Sequence, residues 1–579
     1  MNIIFQTLQF IRSILPKDQK VKALGVSILL FINSGLELIG LSAMLPVFAV
    51  LLEDDVVNKY DWANWIYTFF GLTDDKQFII LLTTALFLIV VIKNIAGMFI
   101  VKLQSEFAMG LYSDFAQRLH QIYYRKGFIF FKEENSNILN RNVQGATQSF
   151  ANSQLLGVLN ILNEIIILLL IIISITIYDF KVLTLLSAIV IPSFLLLYRY
   201  VRNKSIEIGS IRQKVTPRLN KNIFQSIFGY VDVLISGSEQ LFRNRMGDDV
   251  NQLVDVNIRA NIYNLAPTRV IESALMLAVL VMNIYGVYYL ESRIELLQLL
   301  GLFAIAGFRV MPSINRMMTY LNGLNQNKWT FNVLEPLKKE MHFEKPQQKE
   351  LKFENSLILE NVSFHYPNAE KNILKDFSLV IKKGETIGLI GASGSGKTTI
   401  MNILLGFLKV TKGQYLIDNQ VFGEEYIDAF YHKVGYVQQS VYIIDGSLAE
   451  NVAFGVKDED IDFKKLDVVL KRASLYDVSQ ELENGIHTRI GENGTKLSGG
   501  QRQRVGIARA LYFDAEILFF DEATSALDTQ TEKEITESIH KLSESNLTII
   551  IIAHRLSTLE DCDRIIEIKK RDEVISESN

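Results

Sequence analysis

Apolar positions are unevenly distributed along this chain. They gather in six long runs near residues 22–52, 77–103, 154–178, 182–203, 266–290 and 295–323, and beyond about residue 325 they shorten and alternate with polar clusters. A hydrocarbon core about 30 Å thick takes roughly 20 apolar residues at 1.5 Å each, so every one of the six runs can cross a bilayer. The pattern predicts six membrane helices followed by an α/β unit. The connections after the second and fourth runs are long and keep a helical apolar period, as in "NIFQSIFGYVDVLISG", so these helices are expected to continue well past the membrane surface. The same connections are rich in Arg and Lys, which places them and both termini on the cytoplasmic side. The expected division is a membrane domain over 1–335, a polar linker over 336–350 and a globular domain over 351–579.

Composition adds little until it is read locally. The formal net charge of −4 is close to neutral and hides the contrast between the two halves. A single cysteine, Cys562, excludes an intramolecular disulfide framework and a multi-cysteine metal site. Met1 to Ile14 is amphipathic and is followed by Lys17, Lys20 and Lys22, which reads as an elbow on the membrane surface rather than a cleaved leader. The first outer loop carries "YDWANWIYTFFGL", Tyr60 to Leu72, on a short amphipathic pattern. It reads either as an aromatic belt at the headgroups or as a helix that meets the tail of a transported lipid.

The chemistry is concentrated after residue 350. "GASGSGKT", Gly391 to Thr398, fits G-x-x-x-x-G-K-T between an apolar strand and the helical "IMNILLGFL". Gly391, Ala392, Ser393, Gly394, Ser395 and Gly396 supply backbone amides that curl around phosphate oxygens. Lys397 neutralises charge, the Thr398 hydroxyl can ligate magnesium, and Thr399 continues the helix. "ILFFDEATSALD" brings Asp521 beside the metal and Glu522 next to an attacking water at the end of a buried strand. "LSGGQRQR" presents Ser498, Gly499, Gly500 and Gln501 at a helix start, an anion-binding tip that cannot reach the Lys397 site of its own chain.

Taken together, in this order and spacing, the chain resembles an ATP-binding cassette (ABC) exporter half-transporter. The resemblance implies a six-helix α transmembrane domain of the type I exporter, or type IV, fold. This is fused to an α/β P-loop nucleotide-binding domain with a RecA-like core and a helical subdomain. It further implies ATP and Mg2+ as cofactors, with Tyr366 stacking on adenine. Gln439 in "GYVQQS" would ligate magnesium and sense the membrane domain, and His554 in "IIAHRLST" would contact the γ-phosphate. "SALD", Ser525 to Asp528, would face the opposite cassette, and Glu492 in "TRIGENG" would meet the membrane helices or stand in a solvated turn. One phosphate loop and one signature tip per chain require two chains, most simply a homodimer, in a bacterial inner membrane. Six spans exclude a soluble cassette acting on nucleic acid.

Cargo is read from charges inside the spans. Counting 1.5 Å per residue from the outer ends puts Lys93 and Arg309 roughly 20–24 Å deep, while Arg316 and Arg269 lie near the inner boundary. Intramembrane cations face an interior or a cavity. Two readings stand: pairing with Glu37, Glu164 and Glu272, or snorkelling of Arg316 and Arg269 to headgroups, on one side, and a cavity for an anionic headgroup, to which Arg is suited, on the other. "R-x-M-P-S-x-N-R" in the sixth run and "A-P-T-R" in the fifth resemble the bacterial flippases of polyprenyl-pyrophosphate-linked oligosaccharides. That resemblance implies a lipid-linked anionic substrate, whereas a multidrug or lipid A type exporter would carry the same cassette motifs. Pro312 is expected to kink the sixth span.

Overall fold

The computed structural model describes residues 2–43, 46–47, 50, 56–178, 180–289, 293–340, 348–367, 369, 371–522, 529–543, 546–553, 555–569 and 577–578. The chain divides into two units, Met1–Phe343 and Glu344–Asn579, at a point inside the polar stretch 336–350.

Among its described residues the first unit is helical apart from short turns. Its six long helices are Lys17–Ser42, Asp75–Arg125, Leu156–Tyr178, Phe180–Phe228, Glu239–Tyr289 and Arg293–Gln326, one for each apolar run. Among the described residues, Lys76–Arg125, Ser136–Ile173 and Glu239–Tyr288 are long and apolar enough to cross a membrane by length and composition. At 1.5 Å per residue, the 51 residues of Asp75–Arg125 and of Glu239–Tyr289 extend to about 75 Å, far beyond a bilayer core. The helical period of the basic connections therefore continues the spans directly. The turns between them are short: Gly229 and Gly237 bracket the helix Tyr230–Ile235, and Gly237 takes φ +62°, which favours glycine. Arg293–Gln326 runs without interruption through Pro312.

Packing in this unit is distributed over several cores. Ile167, Val190, Ile271, Ala278, Phe303 and Val310 join four of the helices, while Val158, Ile161, Met318 and Leu324 pack with Ile3 of the N-terminal helix Asn2–Ile14. That helix buries Phe10, Ile11 and Ile14 and exposes Phe5, the two-sided character its sequence foretells. The outer-loop helix Asp61–Phe69 packs Ala63, Trp62 and Ile66 near Phe78 and leaves Trp65, Phe69 and Phe70 exposed.

The second unit carries two sheets. β1 (Ser356–Phe364), β2 (Leu374–Lys382), β4 (Lys412–Ile417) and β5 (Gln420–Val421) form an antiparallel sheet in the order β2-β1-β4-β5. The other sheet contains β3 (Thr386–Ile390), β6 (Val434–Val437), β7 (Ile517–Asp521), β8 (Thr548–Ile552), β9 (Arg564–Glu567) and β10 (Glu577–Ser578), in the order β10-β9-β3-β8-β7-β6. Its central pairings are parallel: Leu389 sits opposite both Ile552 and Ile566, and Phe520 opposite Ile551. Strands buried on both faces read as unbroken apolar runs, which is why "TIGLI", "ILFF" and "TIIII" show no alternation. Helices Leu448–Val452, Phe463–Arg472, Tyr476–Glu481 and Gly499–Tyr512 form a subdomain whose core, through Leu466, Leu470, Leu497 and Val505, is continuous with Leu518 and Phe520 of β7. Helix Gly499–Tyr512 thus connects the sheet to its own exposed N-terminal tip.

Candidate functional site

Parallel strands end together, and ligands of open α/β sheets bind beyond their carboxyl ends. β3 leaves the sheet at Gly391, whose φ is +150° and whose added Cβ would lie 2.3 Å from the carbonyl oxygen of Ile568 and 2.9 Å from Ser395 Oγ. A larger residue does not fit. Gly394 and Gly396 also take positive φ, and Gly396 is the N-cap of helix Lys397–Leu404. Lys397 is buried, and its Nζ donates to the carbonyls of Gly391 at 2.7 Å and Ala392 at 3.2 Å, which closes the loop on itself. Burial lowers the Lys397 pKa, and the carboxylates of Glu522 and Asp521 oppose that shift. Ser395 Oγ is buried without a hydrogen-bond partner among the described residues. Ala392, Ser393, Gly394 and Thr398 are exposed, and Thr399 is buried under them. A cationic amine, an unpartnered hydroxyl and a loop too tight for side chains fit a polyphosphate.

β7 delivers the two carboxylates. Asp521 accepts a hydrogen bond from the Tyr436 hydroxyl at 3.2 Å, and burial together with this carboxylate raises the Tyr436 pKa. Glu522 stands just past the strand at φ +48°, uncommon for a residue with a side chain, and its N–H donates to Ile552 at 3.0 Å. Gln439 Nε2 donates to Glu522 Oε2 at 3.0 Å. The Gln439 backbone is held in turn: Gln503 Nε2 donates to the carbonyls of Gln438 at 3.2 Å and Gln439 at 2.6 Å. Neither Tyr436 nor Gln503 was singled out by sequence. A signal for Gln503 does exist, because its helical spacing to Gly506 and Ala510 places a glutamine on a buried face, where its amide needs partners.

Ser498 caps helix Gly499–Tyr512 through a reciprocal pair, accepting from Gln501 N–H at 3.2 Å while its own N–H donates to Gln501 Oε1 at 2.8 Å. The cap holds Gly499 and Gly500 at a helix start. Tyr366 is half-buried, with its ring edge-on to Phe364 at 5.1 Å between centroids. Glu492 is exposed in a tight turn before Gly494. His554 and the segment Ser525 to Asp528 lie outside the described residues.

The membrane unit places its cations differently. Lys93 Nζ donates to Glu37 at 3.1 Å. Arg316 forms a two-pronged pair with Glu164, at 2.5 and 3.1 Å, and its Nη2 lies 3.4 Å from Ser313 Oγ. Arg269 meets Glu272 at 3.3 Å on an exposed face. The Arg309 side chain lies outside the described residues. Lys93, Arg269 and Arg316 thus each meet the acid that the pairing alternative named. Glu164 keeps 5% of its side chain exposed and Arg316 keeps 41%, so the arginine of the pair stays partly accessible. Glu37, the partner of Lys93, also acts electrostatically on Arg316.

Comparison with known proteins agrees with this geometry. Residues 374–525 match the ABC transporter family. The ATP-dependent lipid A-core flippase of Cupriavidus pinatubonensis is 31% identical over 428 residues, covering 71% of each chain. That of Alkalilimnicola ehrlichii is 38% identical over 268 residues, covering 46% of this chain and 45% of its own. A bacterial Atm1-family ABC exporter, solved with ATP bound, superposes with a TM-score of 0.75 at 21% identity, covering 95% of both chains. At that identity the superposition establishes the fold alone.

Proposed function

This chain belongs to the ABC transporter family as an exporter half-transporter that couples ATP hydrolysis to transport, and from that premise we propose that it flips a lipid A type glycolipid across a bacterial inner membrane. One observation carries the cargo class. The likeness to lipid A-core flippases runs over 428 residues, more than the cassette unit contains, so it extends into the helices where cargo is chosen. Polyprenyl-pyrophosphate-linked oligosaccharide is the second reading. It is favoured by the partly accessible Arg316 in "R-x-M-P-S-x-N-R", a residue type suited to a pyrophosphate. The two cargoes share a phosphorylated saccharide head on lipid tails.

In this reading two identical chains form the working unit, with both termini and both cassettes in the cytoplasm. Lys397 and the amides of Gly391 to Thr399 hold the phosphates, Tyr366 supports the adenine, and Ser498 to Gln501 complete the site of the second chain. Thr398, Asp521 and Gln439 would hold magnesium, which supplies charge neutralisation at the phosphates. Glu522 accepts the proton of the attacking water, and His554 contacts the γ-phosphate. Cassette closure is transmitted along the extended helices to the spans.

The test is reconstitution in liposomes with fluorescent lipid A type glycolipid or fluorescent polyprenyl-pyrophosphate saccharide, each with wild type and Glu522→Gln. Wild type is expected to move the lipid A type probe and to hydrolyse ATP faster in its presence, and Glu522→Gln is expected to do neither. Movement of the polyprenyl probe alone would replace the cargo assignment with the second reading.

A further inference from the structure

Gln503 lies five residues into the helix that starts at Ser498, about 7.5 Å along its axis. Its residue is 5% exposed, and its amide gives both N–H groups to consecutive carbonyls, those of Gln438 and Gln439. The amide cannot be turned over, since its oxygen would then face two carbonyl oxygens. Gln503 Oε1 is left buried without a partner among the described residues, an arrangement that packing alone would not favour. One turn further on, a Cβ added to Gly506 would lie 3.0 Å from Val441 and 3.3 Å from Val437. The helix backbone therefore rests directly on both ends of the segment that carries Gln439. The Gln439 side chain completes the path by donating to Glu522 at 3.0 Å.

We propose that Gln503 is a positioning residue for ATP hydrolysis: it locks the Gln439 loop to the signature helix, so that the seating of the Ser498 tip sets the direction of the Glu522 carboxylate. A tilt of the helix drags two backbone carbonyls with it, and Gln439 moves with them. In a pair of chains the tip of each faces the nucleotide held by the other. Gln503 thereby makes hydrolysis at one site responsive to occupancy of the second. This inference rests on Glu522 being the base and on the two-chain arrangement.

The full-length protein tests it. Gln503→Met keeps the length of the side chain and removes both donors. Turnover is expected to fall roughly tenfold, within the span of a misplaced acid–base group, while KM for ATP and the melting temperature stay near wild type. Gln503→Met combined with Gln439→Ala is expected to be no slower than Gln439→Ala alone, because both act through one link. Gly506→Ala, which keeps the amide and pushes the helix outward, is expected to lower turnover less and in the same direction. Additive losses in the double variant, unchanged turnover in Gln503→Met, or a parallel fall in ATP affinity and melting temperature would each overturn the proposal. Glu522→Gln run alongside separates the failures: continued hydrolysis there removes the base assignment on which the link depends.

Discussion

The two units of this chain differ in how they treat buried charged and polar groups near their candidate sites. Among the described residues of the membrane unit, the charges inside the spans are paired: Lys93 meets Glu37, Arg316 meets Glu164, and Ser34 donates to Asn163 at 2.8 Å, while Asn315 Oδ1 is buried without a partner among the described residues. In the cassette the polar atoms nearest the proposed chemistry are left open or strained. Ser395 Oγ and Gln503 Oε1 lack partners among the described residues, and Glu522 holds a left-handed backbone conformation. An uncompensated ion in hydrocarbon costs several kcal/mol with nothing to offset it between transport cycles. A cassette beside water can keep a donor such as the Ser395 hydroxyl unsatisfied because a phosphate group arrives to accept from it. Charge compensation in the spans and an unpartnered donor in the phosphate loop thus serve different ends.

The largest test of that contrast is Glu522→Gln. The amide keeps the shape and loses the proton acceptor, so steady-state hydrolysis should drop about 100- to 10,000-fold while ATP still binds. Hydrolysis is read by phosphate release and binding by a fluorescent nucleotide. Retained turnover would make Glu522 one more compensated structural charge. Gly391→Ala probes the incomplete loop from its steric side. A Cβ 2.3 Å from the Ile568 carbonyl must displace either the loop or the strand end, so ATP affinity should fall at least tenfold with the membrane unit still folded. Unchanged affinity would mean that the loop relaxes freely and that its tightness has no bearing on phosphate binding.

A smaller effect is expected where groups already satisfy each other. Breaking a fully buried ion pair costs about 3–5 kcal/mol, and the 41% exposure of Arg316 reduces this to about a third or half. Arg316→Met or Glu164→Gln alone should therefore lower the thermal stability of the detergent-solubilised protein by about 1–2 kcal/mol. The two together should recover most of the loss, since no ion is then stranded. Equal stability of all three variants would show that the pair is not a structural element. If Arg316→Met alone also abolishes flipping while ATP hydrolysis continues, Arg316 is a cargo contact as well.

How much of this was legible beforehand follows the same division. Local periodicity and contiguous motifs carried the six helices, their long extensions, the phosphate loop and the capped tip at Ser498, because each is decided within a few turns of chain. Contacts between distant residues were not written in any one stretch. Lys93 and Glu37 are 56 positions apart, Arg316 and Glu164 are 152, and Gln503 and Gln439 are 64. Counting depth placed the cations in layers and named the candidate acids, but depth does not say which face of a helix meets which neighbour. Pro312 sits inside the helix Arg293–Gln326, so its ring does not end the helix.

The smallest effect concerns the proton on Lys397, where the open and compensated modes meet in one residue. Burial lowers its pKa below the ordinary 10.5, and Asp521 and Glu522 only partly oppose this. In the nucleotide-free cassette the native state therefore releases this proton at a lower pH than the unfolded chain does. Between the lowered value and 10.5 the unfolded state binds more protons, so this group's contribution to stability rises with pH. ATP reverses the sign: its phosphates favour the charged amine, so binding takes up proton in that alkaline range and weakens as pH increases. Nucleotide affinity measured from neutral pH upward should decline before the ordinary lysine titration, and proton uptake measured calorimetrically in buffers of different ionisation heat should accompany it. Lys397→Met should bind weakly and lose both the decline and the uptake. Proton uptake that persists in Lys397→Met would assign the effect to another group and leave Lys397 as a purely structural closure of its own loop.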